Sequence, residues 1–198
     1  MRVLVACEFS GRVREAFRAL GHDALSCDLL PADDGSPHHY MGDVRDILED
    51  GWDMMIAHPP CTYLALSGVR WLHEQEGRWE LMREGAEFFK ELLNAPIPKK
   101  AIENSSMHGY AMDIIGRKYD QIIHPYMFGE MEKKKSCLWL DNLPRLVETN
   151  NVKQEMKQLP KSVTDRMHRM APGKDRWKLR SVTYQGIANA MAEQWGAL

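Results

Sequence analysis

The apolar and polar positions of the first 28 residues predict a strand, a helix and a second strand. Residues 2–7 form a short apolar run that is typical of a buried strand. After a turn, Val13 and Phe17 recur at helical spacing, and Gly21 is placed to end that helix. Residues 24–27 form a second apolar run. This order predicts a βαβ unit and therefore a parallel sheet.

The same alternation continues to the end of the chain. We predict one α/β domain over residues 1–198 with a Rossmann-like, doubly wound sheet. In such a sheet, ligands bind beyond the carboxyl ends of the strands. The predicted later elements are strands at 52–57, 100–102, 122–123 and 136–140, helices at 77–94 and 184–195, and an irregular polar stretch at 142–176.

Length and composition narrow the class of protein. The chain has 198 residues, of which 44% are hydrophobic and 27% are charged, as is usual for one soluble domain. No apolar run approaches the roughly 18 residues of a membrane helix, and the N-terminus lacks the pattern of a signal peptide. We therefore expect a cytoplasmic protein with reduced thiols and no membrane partner.

Metal ligation is not expected. The four cysteines lie far apart, so they do not form the close pairs that bind zinc. His38, His39 and His58 have no third or fourth ligand at a suitable spacing.

Charge is distributed unevenly along the chain. The net charge is −2, but residues 131–180 hold 13 Lys and Arg against 6 Asp and Glu. Basic residues interleaved with Trp177 suit a phosphate backbone and a stacked base, although a solvated surface loop would have the same composition. The basic residues concerned are Arg166, Arg169, Lys174, Arg176, Lys178 and Arg180.

The turn after the first strand is a candidate cofactor site. Ser10 and Gly11 are small enough for a ligand to approach the backbone closely. Asp28, at the end of the second strand, is placed to accept hydrogen bonds from a ribose. One glycine stands where dinucleotide sites have three, so a ribose-bearing ligand without a pyrophosphate, such as S-adenosylmethionine, fits better. An ordinary strand–turn–helix is the alternative.

The segment His58-Pro59-Pro60-Cys61 is the sharper chemical signal. Two prolines make the backbone rigid directly after a strand, and they hold the Cys61 thiol at the carboxyl edge of the sheet. A thiolate there can act as a nucleophile. Cys7, Cys27 and Cys137 instead fall within apolar strands, and we expect them to be structural.

Glu103 and Asn104 end the next strand and face the same edge. A Glu103 carboxyl whose pKa is raised by burial could donate a proton to a ring nitrogen. A nucleophile and an acid that meet at one planar base match the needs of C5 chemistry on a pyrimidine. Attack at C6 with protonation at N3 makes C5 electron-rich enough to accept a methyl group.

These motifs together resemble the cytosine-C5 DNA methyltransferases, and most closely the compact, phage-type members. The resemblance covers roughly residues 1–140 and resumes near the C-terminus. The motifs that carry it, in order, are Glu8-Phe9-Ser10-Gly11, Asp28, Gly42-Asp43-Val44, Pro59-Pro60-Cys61, Ile102-Glu103-Asn104 and Cys137-Leu138-Trp139-Leu140.

The resemblance implies a class I fold, a phage or prophage origin in a bacterial cell, and roles for individual residues. Cys61 would be the nucleophile and Glu103 the acid that activates the base. The residues implied to bind S-adenosylmethionine are Phe9, Ser10, Gly11, Asp28, Asp43, Val44, Pro59 and Asn189. Those implied to bind the DNA substrate are Pro60, Asn104, Lys134, Ser136, Arg176 and Arg180.

The chain departs from the family pattern at several positions. Ser105-Ser106 follows Glu-Asn where the family has Val or Pro, and Ala188 stands where Gly is usual. The arginine-bearing strand of the family is absent, and Lys134 is the candidate substitute, a point charge in place of a planar fork. Residues 141–180 form only a reduced, basic insertion in place of a target-recognition domain.

Three functions remain open on the sequence alone. The leading hypothesis is C5 methylation of cytosine in DNA through a covalent cysteine adduct, with the base flipped out of the duplex. The reduced insertion favours a free nucleotide or single-stranded DNA as an alternative acceptor. If DNA is the substrate, the reduced insertion predicts short or relaxed sequence selectivity, or target recognition supplied by a protein partner or a second copy of the chain. A non-catalytic module that binds nucleic acid or a protein partner is the third hypothesis.

Overall fold

The chain forms one seven-stranded sheet in the computed structural model, which describes residues 1–198. The strands are β1 (Arg2–Ala6), β2 (Asp23–Asp28), β3 (His39–Met41), β4 (Met54–Ala57), β5 (Lys99–Asn104), β6 (Gln121–Ile123) and β7 (Ser136–Asp141). Their order across the sheet is β3-β2-β1-β4-β5-β7-β6. β1 to β5 pair in parallel, whereas β7 runs antiparallel to both of its neighbours.

Helices cover both faces of the sheet. They are α1 (Arg12–Ala19), α2 (Trp71–Glu74), α3 (Arg78–Asn94), α4 (Gly109–Ile115), α5 (Lys161–Thr164), α6 (Arg166–Arg169), α7 (Arg176–Ser181) and α8 (Gln185–Trp195). Single 3-10 turns lie at Val44–Ile47, Leu66–Gly68, Pro125–Met127 and Glu155–Gln158. None of these helices has both the length and the apolar character that crossing a membrane requires.

The two-residue period of the strands divides the core into two halves. In β1, Leu4 contributes to the core that α3 and α4 cover, and its neighbour Val5 contributes to the core that α1 and α8 cover. Phe89 packs edge-on against Trp139 at 4.8 Å in the first half, while Trp195 is fully buried in the second. Burial on both faces explains why the strands are near-continuous apolar runs.

The strand order creates a crevice between β1 and β4. From β1 the chain crosses to β2 through α1, whereas from β4 it crosses to β5 through α3 on the opposite face. The loops that follow β1 and β4 therefore diverge at the carboxyl edge of the sheet. This divergence is the position at which doubly wound sheets bind their ligands.

The predicted fold class is confirmed, with several local differences. The strands at the β1, β2, β4 and β5 positions and the long helix α3 lie within a few residues of their predicted bounds. β3 and α4 were not predicted, and the antiparallel direction of β7 was not predicted either. The stretch predicted to be irregular contains the short helices α5 and α6.

Candidate active site

The residues predicted to bind the cofactor and the substrate gather at the carboxyl edge of the sheet. Phe9 to Gly11 follow β1, Asp28 ends β2, and Asp43 follows β3. Cys61 follows β4, and Glu103 lies near the end of β5. Parallel pairing of these five strands puts their carboxyl ends side by side, so residues that are distant in sequence share one crevice.

The turn after β1 is a tight connection into α1. Gly11 has φ 72°, in the left-handed region, and directly precedes the helix. Phe9 is buried, and the Ser10 hydroxyl donates to the Glu8 carboxylate at 3.3 Å. The backbone of this turn therefore bends sharply at the base of the crevice, as the sequence predicted.

Glu8 holds the first turn of α1 and was missed by the sequence analysis. Its carboxylate accepts hydrogen bonds from the backbone N–H groups of Val13 at 2.8 Å and Arg14 at 3.2 Å. Burial raises the pKa of Glu8, which the positive field of His58 and these two N–H groups oppose. An acidic residue just before a helix is the signal that would have identified it.

A comparison of Gly11 with Gly77 tests how much steric crowding limits substitution at the turn after β1. An added Cβ would lie 2.8 Å from both the Arg14 guanidinium carbon and an Asp34 carboxylate oxygen, and Arg14 is fully buried. Gly77 has the same φ of 72° before α3 but has no atom within 4 Å of such a Cβ. We expect Gly77→Ala to cost about 1–2 kcal/mol of unfolding free energy and Gly11→Ala about 2 kcal/mol more. Urea denaturation of both variants measures this difference, and equal losses would show that Arg14 yields to the methyl group.

Asp28 and Asp43 bring two carboxylates to the half of the crevice that follows β1, β2 and β3. Asp28 is half-buried and accepts a hydrogen bond from the Leu30 N–H at 2.9 Å, and burial raises the pKa of Asp28. Asp43 begins a 3-10 turn and accepts from the Arg45 N–H at 3.0 Å, which lowers the pKa of Asp43. Val44, the next residue, is buried beneath them.

The structure corrects the sequence prediction for Cys7. That prediction put Cys7 inside an apolar strand, but β1 ends at Ala6 and Cys7 lies in the turn with φ 57°. Burial raises the pKa of the Cys7 thiol, and the nearby carboxylates of Asp28 and Asp43 raise it further. Cys7 therefore belongs to the crevice, whereas Cys27 and Cys137 are buried in strands as predicted.

The double-proline segment is fixed at both of its ends. The His58 N–H donates to the Ala6 carbonyl at 2.9 Å, which extends the β1–β4 pairing by one residue. The Asn104 amide donates to the Pro59 carbonyl at 2.8 Å. Pro59 is buried, whereas Pro60 is exposed. The segment is therefore anchored to both neighbouring strands.

Asn104, which was predicted to bind the substrate, is buried and hydrogen-bonded within the protein. Only 3% of this residue is exposed, and its oxygen accepts a hydrogen bond from the Ser105 N–H at 2.9 Å. Both ends of the amide are thus engaged within the protein. Asn104 orients the Pro59–Cys61 backbone and does not face the crevice.

Cys61 is exposed at the mouth of the crevice, and its carbonyl caps the following turn by accepting from the Leu64 and Ala65 N–H groups. Desolvation raises the pKa of the Cys61 thiol, and the negative charge of Glu103 raises it further. The positive charges of Lys134 and Arg180 act in the opposite direction. The Cys61 thiol is therefore influenced by one carboxylate and two cations.

The net pKa shift of Glu103 is downward, which does not match the upward shift by burial that a proton-donating Glu103 would need. Burial does act in that direction, but a hydrogen bond from His58, the charge of Lys134 and a hydrogen bond from Ser136 outweigh it and lower the pKa of Glu103 to about 2. The His58 Nδ1 and Glu103 Oε2 atoms are 3.4 Å apart. Glu103 is therefore ionised in the free protein near neutral pH.

Alkylation of Cys61 tests this electrostatic arrangement without any assumption about function. Because the pKa of Cys61 is raised, its reaction with iodoacetamide increases with pH around a midpoint above the ordinary thiol range. Replacing Glu103 by Gln removes a negative charge and lowers the midpoint, whereas Lys134→Gln raises it. Mass spectrometry of the peptide containing Cys61 measures the rate. Shifts in the same direction for both variants would contradict the arrangement.

Lys134 and Ser136 lie beside Glu103, as predicted. Ser136 is buried at the start of β7 and bonds to the Glu103 carboxylate. The Lys134 ammonium donates to the Arg180 carbonyl at 2.9 Å and lies 5.8 Å from the centre of the Tyr184 ring. Lys134 therefore holds the C-terminal end of α7 against the half of the crevice that contains Glu103.

Much of the basic stretch is engaged in contacts within the protein. Lys178 pairs with Asp33 at 2.7 Å and lies 5.0 Å from the centre of the Phe9 ring, so α7 reaches the predicted cofactor pocket. Arg176 donates to the Met170 carbonyl at 2.9 Å and supports its own segment. Trp177 remains 57% exposed.

Asn189 lies apart from the other predicted cofactor residues. It is exposed on α8, and its side-chain oxygen accepts a hydrogen bond from Gln185 one turn earlier. Its neighbour Ala188 is fully buried in the half of the core that α1 and α8 cover. α8 packs against α1, and the hydrogen bond of the Asn189 amide stays within α8.

No family model and no curated protein matches the chain. Among solved structures, the Entamoeba histolytica methyltransferase EhMeth is similar at 12% identity and a TM-score of 0.50, over 76% of this chain and 57% of that one. A protein described as a DNA modification methyltransferase encoded within a prophage (E. coli) is 15% identical with a TM-score of 0.47, over 81% of this chain and 55% of that one. A TehB-like SAM-dependent methyltransferase from Corynebacterium glutamicum is 18% identical with a TM-score of 0.33, over 62% and 67%.

These similarities bear on the fold alone. The chain spans little more than half of the length of the first two solved structures. The strand order, the antiparallel β7 and the similarity to EhMeth agree with one another. The chain has a Rossmann-like α/β fold, and this fold is similar to that of the methyltransferase EhMeth.

Proposed function

We propose that the protein methylates C5 of cytosine in DNA, with S-adenosylmethionine as the methyl donor. One observation carries the proposal: the exposed Cys61 thiol and the Glu103 carboxylate act on each other electrostatically at neighbouring strand ends. Both groups lie beside the turn after β1. A nucleophile, a group that transfers protons and a nucleoside pocket are the three components that this reaction needs.

The half of the crevice that follows β1, β2 and β3 fits the donor. The backbone at Gly11 bends with little steric hindrance, the Asp28 carboxylate can accept from a ribose diol, and Asp43 can accept from an adenine amino group. The buried Phe9 ring offers an apolar wall, and α7 covers it through Lys178. When bound here, S-adenosylmethionine supplies an electrophilic methyl group. The single glycine suits a ligand that has no pyrophosphate.

The protonation states of the free site supply the one proton that the first step requires. Cys61 keeps its proton because its pKa is raised, while Glu103 is an anion because its pKa is about 2. As the base enters, the Glu103 carboxylate accepts a hydrogen bond from the exocyclic amino group. The thiol proton moves through Glu103 to N3 as the sulfur–C6 bond forms. The number of protons in the site does not change.

The remaining steps return the site to its starting state. Electron density at C5 forms the new bond to the methyl group, which leaves a positive charge on the N3–C4 side of the ring. Water removes the proton from C5, the C5–C6 double bond forms again, and the sulfur–C6 bond breaks. The proton on N3 returns through Glu103 to Cys61. The net products are 5-methylcytosine, S-adenosylhomocysteine and one proton released to solvent.

Positive charge beside the nucleophile suits a polyanionic substrate. Lys134 and Arg180 both act on the Cys61 thiol, so they lie within electrostatic range of a phosphate that flanks the attacked base. Pro60 and the exposed Trp177 add surfaces on which a base can pack. We infer that these residues bind the nucleic acid around an extruded cytosine.

Transfer of tritium from methyl-labelled S-adenosylmethionine tests the proposal. We expect label in duplex DNA that contains cytosine, and release of the label as 5-methyldeoxycytidine after enzymatic digestion. DNA that contains no cytosine in either strand is the matched control. Donor binding without any incorporation into DNA would overturn the proposed function.

The short connection between β7 and α8 favours a second acceptor. Only residues 142–184 link these elements, and their helices are no longer than α7, which has six residues. A protein that recognises base sequence in a DNA groove needs several positioned side chains. This short connection contains no large domain that could present them. Duplex DNA, single-stranded DNA and dCMP should therefore be compared as acceptors. A higher kcat/KM for dCMP would assign the chemistry to a free nucleotide.

A further inference from the structure

His58 is the residue of this crevice that the sequence analysis considered only as a metal ligand. It follows β4 directly, and only 7% of its side chain is exposed. Its backbone N–H still pairs with Ala6 of β1 at 2.9 Å. The imidazole therefore lies inside the crevice between the ends of β1 and β5.

The ring has a carboxylate on each side. On the β5 side, Nδ1 lies 3.4 Å from Oε2 of Glu103. On the β1 side, the positive field of His58 acts on Glu8, the residue that caps α1. Nε2 is buried and has no hydrogen-bond partner within the protein. His58 thus lies between Glu8, which is next to the predicted cofactor turn, and Glu103, which is next to Cys61.

The ionisation of Glu103 decides the direction of its contact with the ring. An ionised carboxylate can only accept hydrogen bonds, so Nδ1 of His58 is the donor in this contact. The other partners of Glu103, Lys134 and Ser136, approach from the side of β7. His58 is the partner on the opposite side, so it fixes the rotation of the carboxyl group against the attraction of Lys134.

We propose that His58 is a positioning residue, which uses its Nδ1–H to hold the Glu103 carboxylate in the orientation that serves the base attacked by Cys61. This role rests on the proposed function, because the proposed reaction supplies the base on which Glu103 acts. Packing alone does not account for His58, since an apolar side chain would fill the same space without a buried nitrogen that lacks a partner. The role requires a donor at one particular atom, and that requirement can be tested.

Two amide substitutions separate the two ring nitrogens. In His58→Asn the amide nitrogen falls near the position of Nδ1, whereas in His58→Gln it falls near the position of Nε2. We expect His58→Asn to keep kcat within about 3-fold and His58→Gln to lower kcat by about 10- to 100-fold. KM for DNA and affinity for the donor stay unchanged in both variants, because neither substitution removes a binding group. Equal losses of kcat in the two variants would overturn the proposal.

A second readout does not depend on catalysis. The carboxyl carbon signal of Glu103, identified by its loss in Glu103→Gln, reports the titration of that group by NMR. We expect the titration midpoint to rise in His58→Gln, since Lys134 and Ser136 then act alone, and to stay low in His58→Asn. An unchanged midpoint in His58→Gln would overturn the role of His58. Absence of methyl transfer in the wild type, by contrast, would overturn the proposed function together with the catalytic part of that role.

Discussion

We expect Cys61→Ser to abolish the proposed methyl transfer to DNA, with a loss of at least about 10⁴-fold in kcat. A serine hydroxyl at this position does not ionise near neutral pH, so no nucleophile is available for C6. The variant should fold and bind the donor normally, because Cys61 is exposed and its structural contacts are made by its backbone carbonyl. Tritium incorporation measures the rate, and calorimetry with S-adenosylmethionine measures binding.

A covalent adduct gives the complementary measurement. With DNA that carries 5-fluorocytosine, the fluorine at C5 blocks the final proton removal, so the wild type should remain attached to the DNA under denaturing conditions. Thr62→Ala is the matched control, since Thr62 is the next exposed residue of the same loop and only its carbonyl makes a hydrogen bond. Methyl transfer by Cys61→Ser at the wild-type rate would exclude the covalent route and would leave only direct transfer to a nucleophile on the base.

Glu103→Gln has the second largest expected effect, a loss of about 10²- to 10⁴-fold in kcat. Glutamine keeps the size of the side chain but cannot carry a proton from Cys61 to N3. The substitution also removes the negative charge that raises the pKa of Cys61. Cys61 should therefore react faster with iodoacetamide at neutral pH while DNA methylation becomes slower.

Faster alkylation together with slower methylation would show that Glu103 transfers a proton and does not merely change the reactivity of the Cys61 thiol. Glu76→Gln, which changes an exposed carboxylate, is the control for altered net charge, and both rates should stay at the wild-type value. If alkylation and methylation both increase in Glu103→Gln, the carboxylate acts only by suppressing the thiolate. The proposed path of the proton would then be wrong.

Much of the fold follows from local pattern. β1 and β4 are nearly continuous apolar runs because both of their faces are buried. α3 shows helical spacing because it covers one face of the sheet. β3 was not predicted because it has three residues at the sheet edge and none of them is buried. The direction of β7 depends on how the chain returns to the sheet, which the residues of that strand do not encode.

The site was predictable in its members and less so in its electrostatics. Strand ends followed by prolines, glycine and acidic residues identify Cys61, Glu103, Asp28 and the turn after β1. The pKa of Glu103 depends instead on His58, which lies 45 positions away, and on Lys134, which reaches the site through a different connection. A sequence pattern can predict that a carboxyl group is buried. It predicts less readily which partners stabilise the charge of that group.

The antiparallel direction of β7 determines where a new segment can be inserted into this protein without disrupting the crevice. Cys137, near the start of β7, pairs with Asn104 at the end of β5, so an extension before β7 emerges beside Lys134. An extension directly after β7 emerges at the opposite rim, where Asn142 bonds to the Pro98 carbonyl at 2.7 Å. Engineers who wish to graft a sequence-reading module onto this small scaffold should therefore open the β6–β7 loop and leave the residues around Asn142 unchanged.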